Sequence, residues 1–333
     1  MFLGLVNPGR FSKSFIFFTN TIIMNITEAL PTFFITLREG FEAALVVGIV
    51  LACLKKAEQS YLNSWVFSGV GVGIIASAFF GLLFGWLIQG IATSEHPYAP
   101  VFGEFLEAGI GLFAIAMLSW MLIWMTQQSK SLKSEVEGAV KAAINKNKTA
   151  AGWGIFGLIF IAVLREGLET VIFILATFEQ GIMPAIGAVL GLFVAAGLGI
   201  LLFKWGVKIN IRLFFQIMGI FLLLIVAGLV ISVLKHLDAG VGILSQINPE
   251  YAGLCLTQPA SCLLGNLVLN TQGFLPDKQF PGIVLKALFG YRDQLYFVQI
   301  VSYFLFLITV GWFYLQEVNG KAIAPPKTEK TVS

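Results

Sequence analysis

Residues 37–45 read LREGFEAAL and residues 164–172 read LREGLETVI, so one charged signature returns after 127 positions. Each copy lies inside an apolar stretch long enough to cross a bilayer, since a span needs about 20 residues rising about 1.5 Å each. A hydrocarbon core offers no water to the backbone, so such a segment is expected to be helical. On a helix Glu39 and Glu42 share a face three residues apart, and Arg38 and Glu42 pair four apart. Glu166, Glu169 and Arg165 repeat the arrangement. A charge at the centre of a spanning helix costs about 2.5–3.5 kcal/mol on insertion scales, so these groups must face inward and be satisfied.

The rest of the chain fits that environment. Of its 333 residues 57% are hydrophobic and 12% charged, with a mean hydropathy of +0.87, far from a soluble domain. Seven stretches are long enough to span: 31–54, 64–91, 103–126, 152–177, 183–204, 211–235 and 294–316. The expected fold is an all-α polytopic membrane protein of seven transmembrane helices. Lys55 and Lys56 follow the first span, Lys130, Lys133, Lys141, Lys146 and Lys148 fill the third connection, and Lys204, Lys208 and Arg212 the fifth. Lys321, Lys327 and Lys330 lie in the tail. These segments fall on one side, which the positive-inside rule makes cytoplasmic, with the N-terminus outside and the C-terminus inside. A net charge of +3 is too small to suggest nucleic acid.

The repetition extends past the charged signature. Gly73 and Gly81 stand eight apart in the second span, as do Gly191 and Gly199 in the fifth, at an offset of 118. The third and sixth spans align more loosely at 109, placing Gln216 opposite Glu107. Three helices per copy is an odd number, so the second copy enters the membrane from the opposite side. Residues 24–126 and 151–235 are therefore expected to form two inverted three-helix repeats, with the seventh helix at 294–316 outside them. Inverted pairs place equivalent residues near the bilayer midplane, where the two charged signatures should face each other.

The remaining segments are a cytoplasmic basic connection at 127–150, an outer connection at 236–293 and a cytoplasmic tail at 317–333. Residues 1–23 resemble a short signal-like segment, or lie upstream of a true start at Met24. Cys53 is expected to be a packing residue. Cys255 and Cys262 lie in the outer connection, where a disulfide closing a small loop and a pair of free thiols both fit.

Four carboxylates face two guanidiniums in the paired signatures, leaving about two negative charges over if all are ionised. A purely structural ion network would be a poor stabiliser compared with apolar residues of equal volume. The surplus is better read as a cation site, and carboxylate oxygens suit hard metal ions. Gly40 and Gly167 would let a backbone or a partly hydrated ion come close. Glu104 and Glu107 lie three apart near the outer end of the third span, as a site collecting ions for the midplane or as interfacial polarity. Glu95 and His96 read as solvated loop, with extension of that collecting site as the lesser alternative, and His236 and Asp238 as polarity at a helix end, with transient metal binding as the lesser alternative. Gly81 with Gly85, and Gly187 with Gly191, read as helix-packing pairs. The chain has no H-E-x-x-H, serine–lysine dyad or paired-aspartate signature, so a carrier is expected rather than an enzyme.

Two copies of R-E-G-x-E in antiparallel spans resemble the high-affinity iron permease family, over about residues 24–316. FLEAG at 105–109 is similar to that family's third-helix acidic motif, and LFGYRDQ at 288–294 to the segment before its last helix. The resemblance implies a bacterial inner-membrane permease with iron as its transported substrate and no permanently bound cofactor. Glu39, Glu42, Glu166 and Glu169 would form the metal path, Arg38 and Arg165 would support it, and Glu107 with Glu104 would contribute from the third helix. The family also implies an extracytoplasmic ferroxidase or iron-donor partner that oxidises iron(II) and hands on iron(III). Some relatives are associated with lead, so a different cation such as lead or manganese is the alternative cargo.

Overall fold

The computed structural model describes residues 8–92, 98–128, 132–144, 147–176, 182–207, 210–247, 249–255, 261–277 and 279–318. The helices are α1 (Pro8–Lys56), α2 (Asn63–Ala92), α3 (Ala99–Gln128), α4 (Leu132–Ile144), α5 (Lys148–Ala176), α6 (Met183–Phe203), α7 (Ile211–Ile247), α8 (Gly282–Phe289) and α9 (Phe297–Val318). The helices α2, α3, α6, α7 and α9 are long and apolar enough to cross a membrane by length and composition. The two charged signatures lie on α1 and α5, inside the bundle these helices form.

Several boundaries differ from the expected ones. The first helix begins at Pro8 rather than 31 and runs unbroken through Pro31 for 49 residues, about 73 Å at the α-helical rise and more than twice a hydrocarbon core. At the other end of the chain, α7 continues to Ile247, past the expected stop at 235, carrying His236 and Asp238 on helix rather than loop. Residues 294–296 are not the start of the last helix. They form a strand β2 (Gln294–Tyr296) antiparallel to β1 (Leu267–Asn270), with Leu267 opposite Tyr296 and Asn270 opposite Gln294. The small sheet is an addition to the all-α architecture, and lies between α7 and α9.

The principal helix pairings are α1 with α6, α2 with α5 and α3 with α7, while α1 also packs on α5. On α6, Gly187, Gly191 and Gly199 lie against Ala29, Phe33 and Ala44 of α1. On α2, Gly69, Gly73 and Gly81 lie against Phe156, Phe160 and Val171 of α5. Small residues let backbones approach closely where no water drives helices together. Gly85, expected to pack with Gly81, faces open space.

The short helix α4 docks at one end of the bundle. Val136 and Val140 of α4, four residues apart on one face, are buried with Val50, Leu54, Val66, Ile155 and Ile159 from α1, α2 and α5. The basic connection is thus partly a docked amphipathic helix. Arg212 donates to the Val318 carbonyl at 2.9 Å, bringing the start of α7 to the end of α9. At the opposite end, a disulfide joins Cys255 to Cys262. There α8 folds back so that Gly290 rests on Gly228 of α7, where a side chain on either glycine would collide with backbone.

Candidate metal centre

Packing of α1 against α5 brings the two charged signatures together. Gly40 lies against Ala195 of α6 and Gly167 against Ser77 of α2, so these two glycines admit neighbouring helices rather than open a gap. The charged side chains are thereby pressed into the bundle interior. Arg38 and Glu39 have 1% of their side-chain surface exposed, whereas Arg165 has 47%.

Arg38 bonds Glu39, approaches Glu42 Oε1 at 2.9 Å without hydrogen-bond alignment, and donates to Met121 Sδ at 3.4 Å. Arg165 donates from Nε to Glu169 Oε1 at 3.2 Å and lies 4.0 Å from Glu166. Oxygens of Glu39, Glu42 and Glu166 lie within 4.8 Å of one another, a grouping that could hold a metal ion. Glu169 stays beside Arg165 rather than joining that trio. Each of the four glutamates also keeps one buried oxygen without a hydrogen bond: Glu39 Oε2, Glu42 Oε1, Glu166 Oε2 and Glu169 Oε2. A buried acceptor left unpaired costs about 1–3 kcal/mol, and more when charged. Such oxygens are hard donors aimed into a dry interior, and a hard cation satisfies them.

A second cluster stands at the end of the bundle that carries the disulfide. Glu104 and Glu107 from α3 meet His236 of α7, whose Nδ1 lies 2.7 Å from Glu104 Oε2 and 3.1 Å from Glu107 Oε2. Pairing His236 with Asp238, as polarity or as transient ligands, misses its grouping with Glu104 and Glu107. Asp238 has a separate task, accepting the backbone N–H groups of Cys262 at 2.8 Å and Leu263 at 2.6 Å through Oδ1. The signal was available in the sequence, because apolar residues continue after Lys235 in HLDAGVGIL and extend the helix. Gln216, aligned opposite Glu107, accepts a hydrogen bond on its carbonyl from Tyr314 at 3.0 Å. Glu95 and His96 lie outside the described residues.

A bundle of long apolar helices enclosing two carboxylate-rich signatures fits an integral membrane protein of the permease class. The chain belongs to the iron permease FTR1 family, which matches residues 29–315 and so takes in both charged signatures. It is 46% identical over 303 residues to Uncharacterized protein slr0964 of Synechocystis sp., covering 91% of this chain and 98% of that one. It is 33% identical over 297 residues to the ferrous iron permease EfeU of Yersinia pestis, covering 88% and 96%. The corresponding permease of Escherichia coli is 31% identical over 278 residues, covering 83% and 91%. No solved structure matches the chain.

Proposed function

We propose that this iron permease imports iron through a midplane site made by Glu39, Glu42, Glu166 and Glu169, with Arg38 and Arg165 holding the carboxylates ionised. The observation that carries the reading is the convergence of Glu39, Glu42 and Glu166 within 4.8 Å, with a buried oxygen on each of Glu39, Glu166 and Glu169 that accepts no hydrogen bond. An ion network serving packing alone would pair its acceptors. The reading is of a transporter rather than an enzyme, in a bacterial inner membrane, as the bacterial relatives named for ferrous iron suggest.

Seven spans in two inverted repeats, N-terminus outside, are the topology that goes with it. The glycine contacts support the repeat: the α2 glycines precede those of α6 by 118 positions, and the α1 residues they mirror precede those of α5 by 127. These three close approaches in one half thus have their counterparts in the other. Iron is collected outside near Glu104 and Glu107, passes to the midplane and leaves to the cytoplasm. The family resemblance and the all-oxygen midplane set favour iron(III), delivered by an external ferroxidase acting on iron(II). An inward-negative potential of about 100 mV contributes about 2.3 kcal/mol per charge, or about 7 kcal/mol for a trivalent ion in full transit.

The test is uptake of radioactive iron by purified protein in vesicles, with ascorbate in one arm and an oxidant in the other, against manganese and lead as competitors. Iron uptake is expected, and to be lost in Glu39→Ala and Glu166→Ala protein that still inserts. Uptake retained in both variants would remove the site from the path.

A further inference from the structure

We propose that His236 is a metal ligand, completing with Glu104 and Glu107 an outer loading site for a divalent first-row transition ion. The midplane reading gives this site its place in the direction of travel, but the site stands on its own geometry. Three donors from two helices converge: both carboxylates reach the same ring nitrogen at 2.7 and 3.1 Å, and all three ligand atoms lie within 4.8 Å of one another. The side chains are 20–31% exposed, so an ion arriving from water can reach them.

Two features hold the donors in place. Gly240, one turn beyond His236, is buried against Phe105 and Glu104, where an added Cβ would sit 3.3 Å from the Phe105 ring and 3.4 Å from the Glu104 Cβ. Glycine there lets α7 come close enough to α3 for the imidazole to meet the carboxylates. Asp238 fixes the same turn by gripping the backbone at Cys262 and Leu263, beside the disulfide.

The donor set decides the ion. Calcium and magnesium take oxygen ligands, whereas an imidazole suits first-row transition ions such as iron(II). One nitrogen and two carboxylates therefore select a transition ion from an exterior rich in calcium and magnesium. The midplane trio is all oxygen and makes no such distinction by donor type.

Cobalt(II) is the probe, added to full-length protein in lipid nanodiscs, with histidine acylation by diethyl pyrocarbonate mapped by mass spectrometry. The chain has two histidines, so His96 serves as the internal reference. Micromolar cobalt should slow acylation of His236 at least tenfold while His96 continues to react. The same protection is expected in Glu39→Gln/Glu166→Gln protein, so failure of the midplane site leaves this readout unmoved. Glu104→Gln/Glu107→Gln should raise the protecting cobalt concentration about 100-fold, and millimolar calcium should not protect. A simple His–Glu ion pair predicts equal acylation with and without cobalt. That result overturns the proposal, as would equal protection by calcium, protection lost with the midplane pair, or protection unchanged without Glu104 and Glu107.

Discussion

Exchanging Glu39 for glutamine removes one carboxylate from the buried cluster and keeps its volume, so the cost can be reckoned from geometry. Oxygens within 4.8 Å of one another have a common centre no more than about 2.8 Å from each, close to the 2.0–2.6 Å of cation–oxygen ligation. Removing one partner from a buried charged contact costs about 3–5 kcal/mol. With Glu42 still beside Arg38 the lower figure applies, and about 3 kcal/mol is about 150-fold in apparent affinity for iron. Glu166→Gln should cost a similar amount. If both carboxylates grip one ion, the double variant must fall short of the sum by more than about 1 kcal/mol, because the second loss falls on an ion already weakly held. Initial uptake rates into vesicles as a function of iron concentration, for wild type, both singles and the double, measure this coupling. Additivity within about 0.5 kcal/mol, or single variants of wild-type affinity, would refute a shared ion.

Other perturbations separate packing from permeation. Arg38→Ala leaves two carboxylates in a sealed interior and should destabilise the protein by about 3–5 kcal/mol, seen as a large fall in melting temperature in detergent. Arg165→Ala should cost about 1 kcal/mol or less in the same melt, since its side chain is half exposed, while reducing iron uptake. Gly191→Val drives a side chain onto the α1 backbone at Phe33 and Leu37 and should lower stability by at least about 1–3 kcal/mol, whereas Gly85→Ala, in open space, should be neutral within about 1 kcal/mol by the same melt. Reducing the Cys255–Cys262 bridge releases a loop of sequence separation 7, worth about 2–3 kcal/mol in the chain-entropy account. Amide exchange at Cys262 and Leu263 should rise, with α1 and α5 unaffected.

What could be read from the sequence was what a local pattern encodes. The three- and four-residue spacings in LREGFEAAL and LREGLETVI place their charges correctly, and the eight-residue glycine spacing of α2 and α6 marks real contacts. The convergence of Glu39, Glu42 and Glu166 follows from helix periodicity and the expense of charge in lipid. The exclusion of Glu169 from that trio does not, because it depends on which way the Arg165 side chain lies. The outer connection was legible only in part. That Gly290 rests on Gly228, or that Leu267 faces Tyr296, arises between distant segments with no periodic signature. The docking of α4 had a signal in Val136 and Val140, masked by the lysines around them. His236 was missed because the helix was ended too early, which separated it from Glu104 and Glu107.

The two motif copies are nearly identical in sequence yet unequally covered, and the cause lies outside them. Around Arg38 stand Met121, which accepts its hydrogen bond, and a cluster including Leu118 and Tyr314. Tyr314 belongs to α9, which packs on α3 and α7. At the offset of 109 the position matching Met121 is Val230, which has no acceptor to offer Arg165. One arginine is therefore clamped by two carboxylates and a sulfur in a closed interior, and the other keeps about half its surface free. A clamped guanidinium can fix the empty cage but cannot turn without breaking buried contacts, whereas a half-free one can follow its glutamate as charge arrives and leaves. Loss of Arg38 should thus register first in stability, and loss of Arg165 first in transport rate. The contacts of α3 and α9 are thus sufficient to give two copies of one motif unequal surroundings, one arginine closed in and the other half exposed.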